Sequence, residues 1–170
     1  IHIIPALTDT GMSPQLAGTV VAVYTSVAAI AMAVSGFIGD RYPKRPLIVL
    51  FNCIQGLGML IGAFAKTFPL AILFAVPFGI GQGMRVPLLV AIRGDYFGRK
   101  YFATIFGVSQ LPMNLLMMGA PILAGYIFDI QGSYLLPFLG LALLNFLGGA
   151  LMLAVGKPVL RVNDVQNKSD

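Results

Sequence analysis

Charge is nearly absent from five long apolar stretches, at about residues 15–38, 46–65, 69–92, 102–127 and 134–156. Each is close to the ~20 residues that cross the hydrocarbon core of a bilayer as a helix. Polar and charged residues gather between the stretches, and Arg85 is the single charged side chain inside one of them. The pattern predicts an all-α membrane protein, a polytopic bundle of five full spans. Residues 1–7, IHIIPAL, read as the last turns of an earlier helix whose start is missing. Ser13 before Pro14 predicts an N-cap and a first-turn proline for the first full span, and Thr67 with Pro69 predicts the same for the third. His2 stands near the end of the truncated helix and supports no ligand.

Composition agrees with the pattern. The 170 residues are 58% hydrophobic and 10% charged, against about 25% charged in a soluble domain, and the mean hydropathy is +0.88. Eleven Lys and Arg against six acidic residues leave a net charge of +5. They form short clusters rather than the basic stripe that follows a phosphate backbone, so no nucleic-acid partner is expected. The lone cysteine, Cys53, excludes an intramolecular disulfide and a thiolate metal site, and no cofactor is expected. Residues 1–14 lack the basic start of a secretory leader. The domain reading is 1–14 as the end of a truncated helix and an outer loop, 15–156 as the five-span bundle, and 157–170 as a cytoplasmic tail. The whole reads as a piece of a longer chain.

Cations concentrate in cytoplasmic loops of membrane proteins. Arg41, Lys44 and Arg45 precede the second span, Arg93, Arg99 and Lys100 follow the third, and Lys157, Arg161 and Lys168 follow the fifth. An even number of spans separates each group from the next, so all three share one side. That side is predicted to be cytoplasmic, in a plasma or bacterial inner membrane, with the C-terminus inside. Lys66, Asp9 and Asp129 fall opposite.

Two of the basic groups also share an order. GDRYPKR at 39–45 and GDYFGRK at 94–100 both read Gly, Asp, any residue, aromatic, Pro or Gly, then two basic residues. An aspartate at a helix C-terminus opposes the macrodipole. Each therefore predicts a compensating partner, in its own loop's cations or at a neighbouring helix N-terminus. A topology anchor with a tight turn and a latch that breaks and reforms as helices rock both stay open.

Gly36-x-x-x-Asp40-Arg41-x-x-Lys44-Arg45 resembles the loop signature Gly-x-x-x-Asp-Arg-x-Gly-basic-basic of the major facilitator superfamily, as it occurs in the C-terminal half. PFGIGQGMRVPLLVAIRGDYFGRKYFATIFG and GAPILAGYIFDIQGSY look like the tenth and eleventh helices of the monocarboxylate and oxalate/formate carrier branches, and the opening H-x-x-P-x-x-x-D-x-G-x-S is similar to the same branches. The resemblance implies the C-terminal six-helix half of a major facilitator fold with its first helix truncated. It implies partners in a small-molecule substrate, the lipid bilayer and the missing N-terminal half of the same chain. Pro43 stands where the signature has Gly. The basic residues that bind carboxylate on the eighth and eleventh helices of those carriers have no counterpart, since residues 15–38 and 102–127 contain no Lys or Arg.

Candidate substrate contacts are Arg85, Gln82, Gln110, Asn114 and Tyr24. An arginine within a span is costly and faces protein or a water-filled cavity. On a helical wheel Arg85 shares a face with Phe78, Gly81 and Gln82, while Gly79 and Gly83 form a separate face for close packing. Arg85 reads either as an anion contact or as an arginine that snorkels to the surface or joins Asp40 and Asp95. Phe106, Gln110, Met113, Asn114, Met117 and Pro121 share a face of the fourth span, which the resemblance places on the cavity. The competing reading of the two amides is hydrogen bonding between helices. Pro112 and Pro121 weaken that helix's ladder and help it bend. Tyr24 lies mid-way along the first span, as an aromatic substrate contact or packed with its hydroxyl bonded. Asn52, Gln55, Gly58 and Gly62 form a packing stripe. The candidate cytoplasmic gating loops comprise Gly36, Asp40, Arg41, Lys44, Arg45, Asp95, Arg99 and Lys100.

No Ser/His/Asp or Cys/His constellation is present, and Gly79-x-Gly81-x-Gly83 lies inside a span rather than in a phosphate-binding turn. The expected function is that of a fragment of a secondary transporter moving a small organic anion such as a monocarboxylate. The alternatives are an exporter of a drug-like or neutral solute and a receptor or scaffold on the same bundle. No enzyme activity is expected.

Overall fold

The computed structural model describes residues 3–154, with the side chains of Arg99 and Lys100 outside that description. His2, the last two residues of the fifth predicted span and the tail at 157–170 also lie outside the described residues. Six helices form the described chain: α1 Ile3–Thr8, α2 Pro14–Arg41, α3 Lys44–Ala63, α4 Phe68–Gly98, α5 Tyr101–Gln131 and α6 Leu135–Ala154. All but α1 are long and apolar enough to cross a membrane.

The helix ends follow local chemistry. Ser13 caps α2 as expected, its side chain accepting the Leu16 N–H at 3.4 Å. Thr67 occupies the cap position of α4 with Pro69 in the first turn, but its side chain makes no cap bond. α5 stops at Gly132, a left-handed residue (φ 62°, ψ 22°) whose N–H bonds Phe128 O at 2.7 Å. α4 and α5 run helically into one another except at Gly98, with φ 68° and ψ 175°, a backbone region open essentially to glycine alone. The break is there rather than at Pro112 or Pro121, which lie within the helical stretch.

At the charged turn the expected loop placement of Arg41, Lys44 and Arg45 is corrected. Asp40 and Arg41 belong to the last turn of α2, and Lys44 and Arg45 to the first turn of α3, so the loop itself is Tyr42 and Pro43. Asp40 and Asp95 stand in the last turns of α2 and α4, the helix-end positions expected of them. A 28-residue helix is about 42 Å long and overshoots a ~30 Å hydrocarbon core, so the helical ladder continues into water where charges are free to stand. Tyr42 (φ −123°, ψ 153°) and Pro43 (φ −61°, ψ 123°) are both extended. No residue of this turn needs positive φ, which is why proline fits where the related signature carries glycine.

α4 is the centre of the packing. The Cβ positions of Gly79 and Gly83 face the backbone carbonyls of Tyr24 and Ala28 on α2. Gly81 faces α3, where a Cβ would come within 2.7 Å of Phe51 O and of Gln55 N. Gly58 of α3 in turn admits Phe78, and Gly62 admits Phe74 of α4 and Phe138 of α6. Two apolar clusters fill the seams: Leu7, Val20, Phe74 and Phe78 towards one end, and Ile48, Phe51, Met84, Leu88 and Ile92 towards the other. The buried Ser35 hydroxyl donates to Met84 O at 2.8 Å and ties α2 to α4. Of the signature glycines, Gly39 packs against Leu88, whose side chain a Cβ there would meet at 2.7 Å, whereas Gly36 faces open space.

α5 differs from the rest. It is held at its start, where the Arg93 guanidinium lies 5.4 Å from the Phe106 ring, and at its end, where Phe128 stacks on Tyr134 at 4.4 Å. Between them no residue of α5 is buried.

Replacing Gly83 by Leu drives a side chain into the α2 backbone and is expected to cost at least the ~1–3 kcal/mol typical of overpacking. Gly107→Leu on α5, where a Cβ meets nothing within 4 Å, is expected to leave thermal unfolding in detergent unchanged. Equal losses in the two variants would show that glycine-mediated approach does not hold α4 in place.

Candidate functional site

The sequence places Arg85 on α4 eight residues before Arg93, about 12 Å further into the span on an uninterrupted helix. Glycines at 79, 81 and 83 fix α4 against α2 and α3, and this sets the direction in which residue 85 leaves the helix. The side chain is half-buried, and its Nε has no hydrogen-bond partner. No described residue forms a hydrogen bond or ion pair with the guanidinium. The expected alternative in which Arg85 joins Asp40 and Asp95 is therefore not what the structure contains. The face expected to be polar is also partly closed. Phe78 is buried in contact with Tyr24, ring centroids 5.4 Å apart at 79°, and Gly81 is taken by α3. Gln82 and Arg85, both half-buried, are what remains of it.

Tyr24 sits at the α2–α4 seam with its ring half-buried, and its hydroxyl bonds no described residue. Gln110 is half-buried and Asn114 exposed on α5, neither bonded to another helix among the described residues. The structure thus brings Arg85 and Gln82 together on α4 and leaves Tyr24, Gln110 and Asn114 separate, their polar groups unbonded to other helices among the described residues.

Two further polar side chains were read from sequence only as packing. Asn52 and Gln55 on α3 are buried, 6% and 4% exposed, with Oδ1 and Oε1 unpartnered. Gln55 lies under Gly81 and Asn52 against Gly149 of α6. A buried unpaired amide oxygen is costly in an apolar medium, so these two acceptors mark a second polar spot deep in the bundle. Their i, i+3 spacing in an uncharged run was the available signal.

At the basic end the two repeated patterns meet. Lys44 Nζ of the first pairs with Asp95 Oδ2 of the second at 2.8 Å, the side chains 23% and 46% exposed. Arg45 Nη2 donates to Leu153 O at the C-terminal turn of α6, 3.2 Å away, where a cation suits the helix dipole. Arg41 lies 4.0 Å over the Phe37 ring. Asp40 is exposed and forms no ion pair among the described residues. The expected compensation is therefore found for Asp95, across the two patterns, and not for Asp40; the side chains of Arg99 and Lys100 are outside the described set. At the opposite end a cavity of about 300 Å³ is lined by Asp9, Lys66, Phe128 and Tyr134. The Tyr134 phenol there is pushed above its ordinary value by desolvation, with Asp9 and Asp129 adding to the effect, so it stays neutral. Among the described residues no group of His, Cys, Asp or Glu is arranged to hold a metal.

The model of the Major Facilitator Superfamily matches residues 2–169. The multidrug resistance protein B homolog of Mycobacterium tuberculosis is 30% identical over 124 residues, covering 73% of this chain and 23% of that protein. Monocarboxylate transporter 13 of Rattus norvegicus is 24% identical over 137 residues, 79% of this chain and 32% of its own length. The bacillibactin exporter of Bacillus subtilis is 32% identical over 83 residues, 46% of this chain and 21% of that protein. The chain thus spans less than a third of these curated relatives, and no solved structure matches it. With the family match along nearly the whole length and a bundle of membrane-length helices packed around α4, the chain belongs to the Major Facilitator Superfamily and is an integral multi-pass membrane protein.

Proposed function

We propose that the chain is the C-terminal half of a secondary transporter that moves a small organic anion by alternating access, with Arg85 as the anion contact. The observation that carries this is a guanidinium within a membrane-length helix that finds no partner among the described residues. An embedded cation without a counter-ion is costly and marks a substrate or ion path. Relatives named as monocarboxylate transporters support the anion class. The free polar groups of Gln82, Tyr24, Gln110 and Asn114 complete the wall when the other half of the protein encloses the substrate near the midplane. In this reading the basic end faces the cytoplasm of a plasma or bacterial inner membrane, residues 157–170 form a cytoplasmic tail, and Lys44–Asp95 is the latch between α3 and α4.

A second reading is export of a drug-like or neutral solute. It is favoured by the relatives named as a multidrug resistance protein B homolog and a bacillibactin exporter. It is also favoured by α5, whose uncharged face exposes Met113, Met117 and Met118. In that case Arg85 is structural.

Uptake by the complete protein in vesicles, with small mono- and dicarboxylates beside neutral solutes, separates the two. Arg85→Gln is expected to abolish carboxylate uptake, at least tenfold, with membrane insertion intact, the loss of a charge-assisted contact worth about 1.5–3 kcal/mol. Movement of neutral solutes alone, or a variant that behaves as wild type, would sink the anion reading.

The latch is tested by comparing two carboxylates. Asp95→Asn, which removes the observed pair, is expected to change the transport rate more than Asp40→Asn. Lys44→Asp combined with Asp95→Lys is expected to restore the rate at least in part. An identical rate in all variants would reduce both patterns to topology anchors.

A further inference from the structure

We propose that the cavity at the basic end, between the start of α3 and the ends of α4 and α6, binds the phosphate headgroup of an anionic lipid from the adjacent leaflet. The cavity measures about 510 Å³ and is lined by Lys44, Arg45, Pro46, Ile92, Asp95 and Leu153, among others. Its wall is mainly apolar, with charge confined to three of these side chains. That division of surfaces matches an amphiphile, in which an anionic head meets the cations while glycerol and acyl groups lie along Pro46, Ile92 and Leu153.

The charge balance of the wall leaves room for an anion. Two cations face one carboxylate, and Asp95 is already engaged by Lys44 Nζ at 2.8 Å. Asp95 repels a phosphate, so a bound headgroup requires Lys44 to stand between the two acids. Arg45 has five N–H donors. Its Nη2 is committed to Leu153 O, and its Nε has no partner. The first turn of α3 contains no acidic residue, and its cap, Pro43, supplies no side-chain acceptor. The helix dipole therefore adds positive potential of the same sign as the two side chains. The site also stands where headgroups are found, at the ends of three membrane-length helices. Near-surface cations strengthen attraction to anionic lipid, and the effect decays within a Debye length. The inference rests on the membrane-spanning bundle and not on the transport reading.

The complete protein, purified in mild detergent from membranes containing phosphatidylglycerol and phosphatidylcholine, is assayed for the lipid it retains. Wild type is expected to retain phosphatidylglycerol in excess over phosphatidylcholine. Lys44→Gln and Arg45→Gln are each expected to reduce that excess about fivefold, the effect of one near-surface cation. Arg93→Gln, a nearby cation that does not line the cavity, is expected to leave it unchanged. No excess in wild type, or equal loss in the Arg93 variant, would overturn the site. Should the Gln variants fail to fold, retention by wild type is titrated with salt, and an excess insensitive to ionic strength overturns the phosphate contact. Thermal unfolding in detergent with added phosphatidylglycerol or inorganic phosphate identifies the source. Stabilisation by the lipid alone supports the proposal, and equal stabilisation by inorganic phosphate overturns the lipid in favour of a free anion. Because the readout is bound lipid rather than uptake, its failure leaves the transport assignment standing.

Discussion

Everything in this bundle depends on how closely the backbone of α4 is allowed to approach its neighbours. In a bilayer the surrounding tails are as apolar as leucine, so helices gain little from hiding apolar side chains from one another and associate through close packing and hydrogen bonds. Gly79 and Gly83, one turn apart, let α4 touch the carbonyls of Tyr24 and Ala28, and Gly81, between them in sequence, opens the side of the helix that meets α3. With both sides closed by backbone contact, Ser35 reaches Met84 O and Gly39 meets Leu88 further along the same seam. α5 has glycines too, at 107, 119 and 125, but a Cβ on any of them would meet nothing. Small residues alone therefore do not make an interface. They do so on α4 because the facing backbones are there to be met.

This packing also decides what is left for chemistry. A helix with its flanks committed to α2 and α3 has one sector free, and Gln82 and Arg85 occupy what remains between Phe78 and the basic end. The Nε of Arg85 is buried, while its charge finds no counter-ion among the described residues. A bundle meant only to be stable would place a leucine there, since desolvating an unpaired guanidinium works against folding. The amide oxygens of Asn52 and Gln55 pose the same question on α3, where polar atoms lie under glycine contacts without partners.

The span lengths, the Ser13 cap and the Gly79–Gly83 packing face were legible in the sequence because each depends on residues a few positions apart. Apolar run length, a hydroxyl before a proline and small residues at i, i+4 are local signals. The points at which the helices end were less legible. Hydropathy marks where the hydrocarbon stops, whereas the backbone ladder persists beyond it, and so Arg41, Lys44 and Arg45 lie on helices rather than in a loop. The bond from Arg45 to Leu153, 108 positions away, and the burial of Asn52 against Gly149 depend on which helices adjoin, which no local pattern states. The interruption between the third and fourth spans was legible as the charged turn at 94–100, but its narrowing to the single residue Gly98, with helix on both sides, was not.

The repeated charged pattern shows how a local motif can carry a non-local meaning. Read within one copy, Asp40 and Lys44 look like partners four positions apart, as on one helix face. The extended residues Tyr42 and Pro43 put them on two different helices, and the cation is directed to Asp95 of the other copy instead. The pair then joins α3 to α4 across 51 positions. With both side chains partly in solvent it contributes about 0–1 kcal/mol, far less than the glycine-mediated seams around it. In the alternating-access cycle we propose, that weakness is useful. A contact of this size can be broken by the differential binding of one small ligand, while the α2–α4 and α3–α4 seams stay closed and move together.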